Sequence, residues 1–259
     1  MSKQKVIAKV LSQEKLSCGV YSMWIGTDIA NEARPGQFIS VYTKDASKLL
    51  PRPISICEIE KDRIRIVYRI AGDGTKEFSE YAAGDDITVM GPLGNGFLTD
   101  TEYTKQEKSA LLIGGGIGIP PMLGLAKALS CNKKIVAGYR GKNDLLLKNE
   151  LENNGELFIA TDDGSLGTNG TVIDAIRNNN IDADVIFACG PKPMLKAVKE
   201  YAEQVSIPAY ISMEERMACG VGACLGCVCK TTKTDDHSKV KNARICKDGP
   251  VFLASEVEL

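Results

Sequence analysis

The chain has 259 residues, which is enough for two ordinary domains and a small additional module. Its 32 basic and 33 acidic residues leave a formal net charge of −1, so the composition gives no sign of a nucleic-acid-binding or membrane-surface protein. No uninterrupted apolar run reaches the roughly 18 residues that a membrane span needs.

The nine cysteines have to be interpreted together with the cellular compartment. The N-terminal MSKQKVIAKVLSQEKL lacks an apolar core of signal-peptide length, which indicates a cytoplasmic protein. Because cytoplasmic thiols stay reduced, clustered cysteines there indicate metal binding or redox chemistry rather than disulfides. The single histidine, His237, lies in a polar stretch and is expected to be solvated, so we assign no catalytic acid, base or nucleophile.

Up to about residue 101 the sequence consists of short β-like runs separated by turns rich in glycine, proline and aspartate. The runs are VIAKV, VYSMWI, QFISVYT, PISICEI, RIRIVYRI and DITVM. Several short strands with little helix between them predict a closed antiparallel β-barrel, which we assign to residues 1–101.

From residue 102 to residue 212, strands and helices alternate. The strand-like runs are ALLIG, KIVAGY, LFIAT, DVIFACG and PAYISM, and the helical ones are PPMLGLAKALS, NDLLLKNELEN, TVIDAIRNN and KPMLKAVKEYAEQ. This alternation predicts a doubly wound α/β domain, with a parallel sheet covered by helices on both faces. Ligands of such sheets bind beyond the carboxyl ends of the strands, which is where GGGIGIPP, TDDGS and CGPKPM lie.

Residues 213–259 form a third region, dominated by the segment CGVGACLGCVC. Cys219, Cys224, Cys227 and the more distant Cys246 have the spacing of plant-type [2Fe–2S] sites, in which four thiolates hold two irons. The intervening glycines allow a tight loop whose N–H groups can point at sulfur. A structural zinc site is the alternative, although it more often has two separated C-x2-C pairs.

Three further motifs each allow a functional and a plainer interpretation. In LLPRPISI the arginine side chain could bind a pyrophosphate. Alternatively, the segment is simply a strand bounded by prolines, with an arginine on its surface. GDGT precedes a short helix and is a phosphate site or a simple turn. LLIGGGIGIPPM lacks the third glycine of G-x-G-x-x-G.

The choice between NADH and NADPH stays open. Arg140 could bind the 2′-phosphate of NADPH, whereas Asp162 or Asp163 would repel it.

In this order, RPIS, GDGT, GGGIGIPP and CGPKPM make the chain resemble the ferredoxin–NADP reductase superfamily. Within it, LLPRPISI, GPLGNGF, TDDGS, ISMEERMACGVGACLGCVC and ICKDGPVF resemble the electron-transfer subunits of NAD-dependent dihydroorotate dehydrogenase over nearly the whole chain. The main departure is the long polar loop between Cys227 and Cys246, which costs little because loop-closure entropy grows slowly with loop length.

The resemblance implies three cofactor sites: FAD on the barrel, NAD(H) on the α/β domain with Cys189 close to the nicotinamide, and a [2Fe–2S] cluster on the four cysteines named above. The implied binding residues are Arg52, Pro53, Ile54, Ser55, Val67, Tyr68, Arg69, Gly74 and Thr75 for FAD, and Gly115, Gly116, Gly118, Asp163, Cys189 and Gly190 for NAD(H).

The resemblance also implies a function that needs a partner. Hydride would pass between NAD(H) and FAD, and the cluster would exchange single electrons with a separate FMN-containing dihydroorotate dehydrogenase catalytic subunit, in a heterotetramer of two plus two subunits that serves pyrimidine biosynthesis. An exposed apolar surface near the cluster is expected to mark the docking face. One alternative is the flavin and iron–sulfur subunit of a ferredoxin–NAD(P) oxidoreductase, a sulfite reductase or a hydrogenase. Another is a non-enzymatic regulator that docks through a zinc-bound C-terminal module.

Overall fold

The computed structural model describes residues 3–234 and 239–259, so His237 lies outside the described residues. The strands are β1 (Gln4–Ser17), β2 (Val20–Gly26), β3 (Phe38–Tyr42), β4 (Arg52–Glu60), β5 (Arg63–Arg69), β6 (Asp86–Leu93), β7 (Ser109–Gly115), β8 (Asn132–Tyr139), β9 (Glu156–Thr161), β10 (Thr168–Asn169), β11 (Val185–Cys189), β12 (Ala209–Ser212), β13 (Val228–Lys230), β14 (Asn242–Arg244) and β15 (Val251–Leu253). The α-helices are α1 (Asp73–Phe78), α2 (Ile119–Ala128), α3 (Lys148–Glu152), α4 (Val172–Asn178) and α5 (Lys192–Val205).

The first six strands close into a barrel in the order β1-β2-β5-β4-β3-β6. All neighbours are antiparallel, and the long strand β1 closes the barrel by pairing with β2 through one part of its length and with β6 through the other. Alternate residues face inward, so Val10, Ile25 and Ile66 are buried in the barrel core. Closure leaves the barrel sheet without an unpaired edge. The predicted antiparallel barrel is confirmed.

The α/β domain contains a seven-stranded sheet in the order β10-β9-β8-β7-β11-β12-β15. Its neighbours are parallel except for the last pair, in which β15 runs antiparallel to β12. Leu111 and Ile113 of β7 share a core with α4 and α5, while Ala110 and Leu112 share one with α2 and α3. The prediction of a parallel sheet with helices on both faces is therefore confirmed.

The C-terminal region is tied to both larger units. Strands β13 and β14 form a small antiparallel sheet, and the residues that follow return to the main sheet as β15. Cys227, Ile245 and Cys246 are buried in a core cluster that also contains Phe38 and Leu93 of the barrel. The division at residues 101 and 212 stays a prediction, because the last strand of the third region completes the sheet of the second.

The helix predicted over NDLLLKNELEN is shorter than its sequence pattern indicates. Helix α3 begins only at Lys148, after Leu147 adopts a left-handed φ of 58°. Leu146 and Leu147 are buried, and the Leu146 carbonyl accepts a hydrogen bond of 2.8 Å from the Tyr139 hydroxyl. Burial of these leucines outweighs their helix propensity. Over the part of the chain that the structure describes, no helix is long and apolar enough to cross a membrane.

Candidate functional site

A cavity of about 550 Å³ opens at the carboxyl ends of the parallel strands. Gly115, Gly116 and Gly118 line it from the turn after β7, and Gly190 lines it from the turn after β11. The two turns pack so closely that a Cβ atom at Gly118 would overlap the Cys189 carbonyl. Only glycine allows this approach, which leaves backbone N–H groups on the cavity wall for a nucleotide pyrophosphate.

The outer end of this cavity carries charge of both signs. Arg140 follows β8, and Asp162 follows β9, so both lie at strand ends, and both line the cavity together with Asp144. The predicted Asp163 instead accepts hydrogen bonds from the Ser165 hydroxyl at 2.6 Å and the Ser165 N–H at 2.9 Å. These bonds lower the pKa of Asp163 and brace the loop. A contact between Asp163 and the nucleotide stays a prediction.

Cys189 ends β11 and is 1% exposed. Burial, reinforced by the nearby Glu214 carboxylate, raises the pKa of the Cys189 thiol to about 12. A thiol with such a pKa stays protonated at neutral pH and is a poor nucleophile. The side chain is packed inside the protein and lines neither cavity, so its predicted place close to the nicotinamide stays a prediction.

A second cavity, of about 420 Å³, lies between the barrel and the segment that follows β12. Pro53 and Ser55 of β4 form one wall, together with Phe38 of β3, and Ser212–Met217 forms the other. Glu214 lines both this cavity and the larger one. Desolvation by the surrounding walls raises the pKa of its carboxyl group. The two cavities are thus neighbours that share a titratable side chain.

The remaining residues predicted to bind FAD lie in two groups. Arg52 lies against Gly74, where a Cβ atom would overlap the guanidinium, and it donates a hydrogen bond to the Leu50 carbonyl. The Thr75 hydroxyl accepts hydrogen bonds from the N–H groups of Ala71 at 2.8 Å and Gly72 at 3.2 Å, which shapes the turn before α1. An arginine and this turn are therefore adjacent, as the pyrophosphate interpretation requires.

The second group lies on β5 and on the middle of β4. Val67 and Tyr68 are buried, and the Tyr68 hydroxyl donates a hydrogen bond of 2.7 Å to Gln13 in the barrel core. Arg69 lines the 550 Å³ cavity rather than the smaller one, and Ile54 is half-buried beside Ser55. Flavin contacts by Ile54, Val67, Tyr68 and Arg69 stay predictions.

The four-cysteine segment directs backbone N–H groups at its sulfur atoms. Cys219 Sγ accepts from the N–H groups of Val221 at 3.5 Å, Ala223 at 3.3 Å and Cys224 at 3.4 Å. Burial raises the pKa of Cys219, but these donors outweigh it and lower the pKa to about 6. The loop is therefore built to stabilise a thiolate, which is the form that binds metal.

The four thiols fall into two pairs. Cys219 is hydrogen-bonded to Cys224, and Cys246 to Cys227. The Gly222 N–H donates to Cys246 Sγ at 3.1 Å and the Cys246 N–H donates to Cys227 Sγ at 3.4 Å. Two pairs of thiols with N–H donors fit a binuclear cluster in which each iron takes two thiolates.

Mononuclear metal sites were a separate possibility for the cysteine segment. Within residues 3–234 and 239–259, no group of three or more His, Cys, Asp or Glu side chains is arranged to hold a metal ion as it stands. The assignment of Cys219, Cys224, Cys227 and Cys246 as ligands of the iron–sulfur cluster stays a prediction.

Glu214 lines both cavities and is not among the residues that the sequence predicts to bind a cofactor. Its position directly after β12 is the signal that could have identified it, because ligands of open α/β sheets bind at the carboxyl ends of strands. Polar residues in the long connection after the last parallel strand are ordinarily solvated, and the folding of Ser212–Met217 against β4 is a tertiary feature.

Two family models match parts of the chain. Residues 214–258 match the iron–sulfur cluster binding domain of dihydroorotate dehydrogenase B. Residues 112–200 match an oxidoreductase NAD-binding domain. The two matched ranges contain the four-cysteine segment and the glycine-rich turn of the larger cavity, respectively.

Solved structures share the fold over most of the chain. The structure of an NADH-dependent reduced ferredoxin–NADP oxidoreductase aligns with a TM-score of 0.85 at 28% identity, covering 98% of this chain and 90% of that one. The ferredoxin reductase of carbazole 1,9a-dioxygenase aligns with a TM-score of 0.70 at 19% identity, covering 82% of this chain and 69% of that one, which shows the fold alone.

Full-length relatives match from end to end and confirm the resemblance inferred from the motifs. The chain is 44% identical over 256 residues to the dihydroorotate dehydrogenase B (NAD(+)) electron transfer subunit of Listeria monocytogenes serotype 4a (strain HCC23), covering 97% of this chain and 98% of that one. It is 42% identical over 264 residues to the subunit of the same name from Bacillus pumilus (strain SAFR-032), covering 99% of each. The chain therefore belongs to the family of electron transfer subunits of dihydroorotate dehydrogenase B (NAD(+)).

Proposed function

We propose that this chain passes electrons between NAD(H) and an FMN-containing dihydroorotate dehydrogenase catalytic subunit, by way of FAD and a [2Fe–2S] cluster. The complex, a cytoplasmic heterotetramer of two plus two subunits, serves the oxidation of dihydroorotate to orotate in pyrimidine biosynthesis. This chain is the oxidoreductase subunit that handles the nicotinamide, and the partner holds the dihydroorotate site.

One observation carries the proposal: a single short segment adjoins all three sites. Residues Ser212–Met217 form a wall of the 420 Å³ cavity, and Glu214 within them also lines the 550 Å³ cavity. Two residues further on, Cys219 begins the four-cysteine loop. The nucleotide cavity, the barrel cavity and the cysteine loop are therefore consecutive neighbours, as a chain of electron carriers requires.

Each site offers chemistry suited to its cofactor. The glycine turns of the larger cavity leave space and N–H donors for a pyrophosphate. Arg52 provides a guanidinium near the smaller cavity for a second pyrophosphate. A bound flavin would supply the exchange between a two-electron hydride and single electrons, and the protein would supply orientation and tune its potential.

The cysteine loop has one exposed side, where a partner could dock. Cys224 is exposed, whereas Cys227 and Cys246 are buried. Leu225 is 64% exposed and Val228 is 36% exposed. Apolar side chains next to a solvent-exposed cluster ligand support a docking face at the point where electrons leave the chain.

The test is an absorbance spectrum of the chain purified without air, recorded before and after NADH, with iron and zinc counted. We expect flavin bands and broad cluster absorption, both bleached by NADH, and two irons per chain. The chain alone should then reduce artificial acceptors and leave dihydroorotate unoxidised, while addition of the catalytic subunit should couple dihydroorotate oxidation to NADH formation. Zinc without visible bands, or dihydroorotate oxidation by this chain alone, would refute the proposal.

The ferredoxin–NAD(P) oxidoreductase alternative is favoured by one finding, the structural match at 28% identity over 98% of the chain. It predicts that a reduced ferredoxin, rather than the dihydroorotate dehydrogenase catalytic subunit, transfers electrons to this chain. Mixing the oxidised chain in turn with reduced ferredoxin and with the catalytic subunit reduced by dihydroorotate, and following flavin reduction, separates the two functions.

A further inference from the structure

An ion-pair network around two buried side chains, Glu58 and Arg65, joins the barrel to the α/β domain outside both cavities. Arg65 of β5, whose side chain is 6% exposed, donates to Glu58 of β4 at 2.5 Å and to Glu150 of α3 at 2.6 Å. Its Nε atom donates to the Ser22 hydroxyl at 2.8 Å. The Arg65 guanidinium is thus engaged by both units at once.

A second ion pair crosses the same junction, and here the cation belongs to the α/β domain and the anion to the barrel. Lys127 of α2 binds the other carboxylate oxygen of Glu58, whose side chain is 5% exposed. Glu58 therefore receives one cation from its own barrel and one from the α/β domain. The four residues Glu58, Arg65, Lys127 and Glu150 are called the ion-pair network below.

The elements that carry the ion-pair network also carry the two candidate binding segments. Strand β4 begins with Arg52 and contains Ser55 of the smaller cavity, about 10 Å along the strand from Glu58. Helix α2 begins directly after Gly118 of the larger cavity, and Lys127 lies about 12 Å along the helix axis from its first residue.

Helix α2 and strand β4 are in direct contact between these points. A Cβ atom at Gly124 of α2 would overlap the Cys57 carbonyl of β4. This close backbone contact sets the distance between the helix and the strand. It does not by itself fix the position of α2 along the axis of β4. Charged hydrogen bonds require fixed positions, because a buried charge that loses its partner pays a large desolvation cost.

We propose that the ion-pair network fixes the positions of α2 and α3, which share a core cluster, along β4 and β5, and so aligns the glycine-rich turn with the flavin-binding segment for hydride transfer. The four residues are positioning residues, since none of them lines either cavity. The role in hydride transfer rests on the proposed function, whereas the fixed positions of the elements rest on the geometry of the ion-pair network. A misplacement of about 1 Å at a reacting centre can slow a reaction about a hundredfold.

The test variant is Glu150→Gln, which removes one charge from the network at a side chain that is 37% exposed, so that folding is retained. Its matched control is Glu152→Gln on the same helix, where Glu152 forms an exposed pair with Lys148. Two quantities are measured: the limiting rate of flavin reduction by NADH in anaerobic stopped flow, and amide hydrogen exchange of α2 and β4 without any nucleotide.

Glu150→Gln is expected to lower the limiting rate about tenfold while the half-saturating NADH concentration and flavin content stay within twofold of the wild type. Exchange should become faster in α2, α3 and β4 and stay unchanged in β6, which carries none of the charged groups that pair with Arg65, and Glu152→Gln should match the wild type throughout. Lys127→Gln should behave like Glu150→Gln, and Lys127→Arg should retain the wild-type rate.

The inference is overturned if Glu150→Gln keeps the wild-type limiting rate and exchange pattern, or if Glu152→Gln slows reduction to the same degree. Failure of the proposed function is distinguishable, because the wild type would then show no flavin reduction by NADH. Hydrogen exchange in α2 and β4 would still decide whether the network fixes the junction.

Discussion

The junction between the barrel and the α/β domain and the four-cysteine loop are held together by different parts of the chain. At the junction, side chains of regular elements make the bonds, as in the contact of Arg65 with Glu58 and Glu150. In the loop, backbone N–H groups point at sulfur, and Gly220, Gly222 and Leu225 have positive φ values of 69°, 85° and 56°. The first region uses ordinary strand and helix geometry, whereas the second uses left-handed backbone conformations, which glycine adopts readily and which cost free energy at Leu225.

This difference indicates where folding depends on a cofactor. The junction contains complete ion pairs and packed backbone, so it needs nothing from outside the chain. The cysteine loop gathers thiols that repel one another once ionised, and metal binding supplies the free energy that offsets both this repulsion and the backbone strain. The loop should therefore respond to loss of iron while the junction does not, and the predictions below test that contrast.

Loss of a cluster ligand gives the largest expected effect. Cys227→Ala should abolish iron binding and electron delivery to the catalytic subunit, while NADH still bleaches the flavin, because the barrel and the α/β domain keep their contacts. Iron analysis and stopped-flow spectroscopy check both halves. The matched control is Cys229→Ala, two residues away on β13, where the thiol is buried but is not a predicted ligand. Loss of iron in both variants would contradict the ligand assignment.

Removal of the Glu58 charge should destabilise the junction without touching the loop. Burial alone would raise the pKa of Glu58, but its bonds to Lys127 and Arg65 outweigh this and lower it below the model-peptide value of 4.5. Glu58→Gln should cost about 3 kcal/mol in the free energy of unfolding near pH 7, because the buried Arg65 and the exposed Lys127 lose the anion that they share. Denaturant unfolding followed by circular dichroism measures the difference.

The pH dependence of that difference has a defined sign. A carboxyl whose pKa is lower in the folded state stabilises the fold above its unfolded pKa, and this stability is lost as the pH falls through the folded pKa. The gap between wild type and Glu58→Gln should therefore be full above about pH 4.5 and should close below it. A gap that widens on acidification would mean that Glu58 is protonated in the native protein.

A substitution in the glycine-rich turn should affect nucleotide use alone. In Gly118→Ala the added Cβ would overlap the Cys189 carbonyl, so the turns after β7 and β11 have to separate. Flavin reduction by NADH should fall about hundredfold, as expected for a displacement of about 1 Å at the site. Flavin content and iron content serve as internal controls. An unchanged rate would show that the 550 Å³ cavity is not where the nucleotide binds.

Much of this architecture was predictable because the patterns that specify it are local. Alternating apolar residues in runs such as RIRIVYRI give the barrel strands, and the spacing of Cys219, Cys224 and Cys227 places them in the segment that matches an iron–sulfur cluster binding domain, where their role as ligands stays a prediction. The glycines of the GGGIGIPP turn also lie where the strand-to-helix pattern places them.

What could not be predicted depends on contacts between distant parts of the chain. Glu58 and Arg65 occupy ordinary strand positions, and nothing in their spacing shows that they form ion pairs with Lys127 and Glu150. Glu214 becomes a wall of two cavities only because its segment folds against β4. Asp162 and Asp163 are adjacent in the sequence, which does not show which of them faces the cavity. In the structure Asp163 is hydrogen-bonded to Ser165, and Asp162 lines the cavity.

The smallest predicted effect tests whether the loop tunes the cluster as well as holding it. Gly222 donates its N–H to Cys246 Sγ at 3.1 Å, has a φ of 85°, and would place a Cβ atom 2.7 Å from the Lys247 side chain. Gly222→Ala should therefore lengthen that hydrogen bond. Donors of this kind stabilise the more negative, reduced cluster, so its midpoint potential should fall by about 40 mV, which corresponds to about 1 kcal/mol for a one-electron couple.

The matched control is Gly226→Ala, whose φ is not positive and whose Cβ atom would lie 3.4 Å from Cys224 Sγ, an ordinary contact. Its N–H bond to Cys224 stays intact, so a redox titration followed by electron paramagnetic resonance should give the wild-type potential. A shift of the potential confined to Gly222→Ala means that glycine at this positive φ also serves to set the potential of the cluster. Equal potentials in both variants mean that the glycines serve only to fold the loop. The loop and the junction would then differ only in how each of them is stabilised.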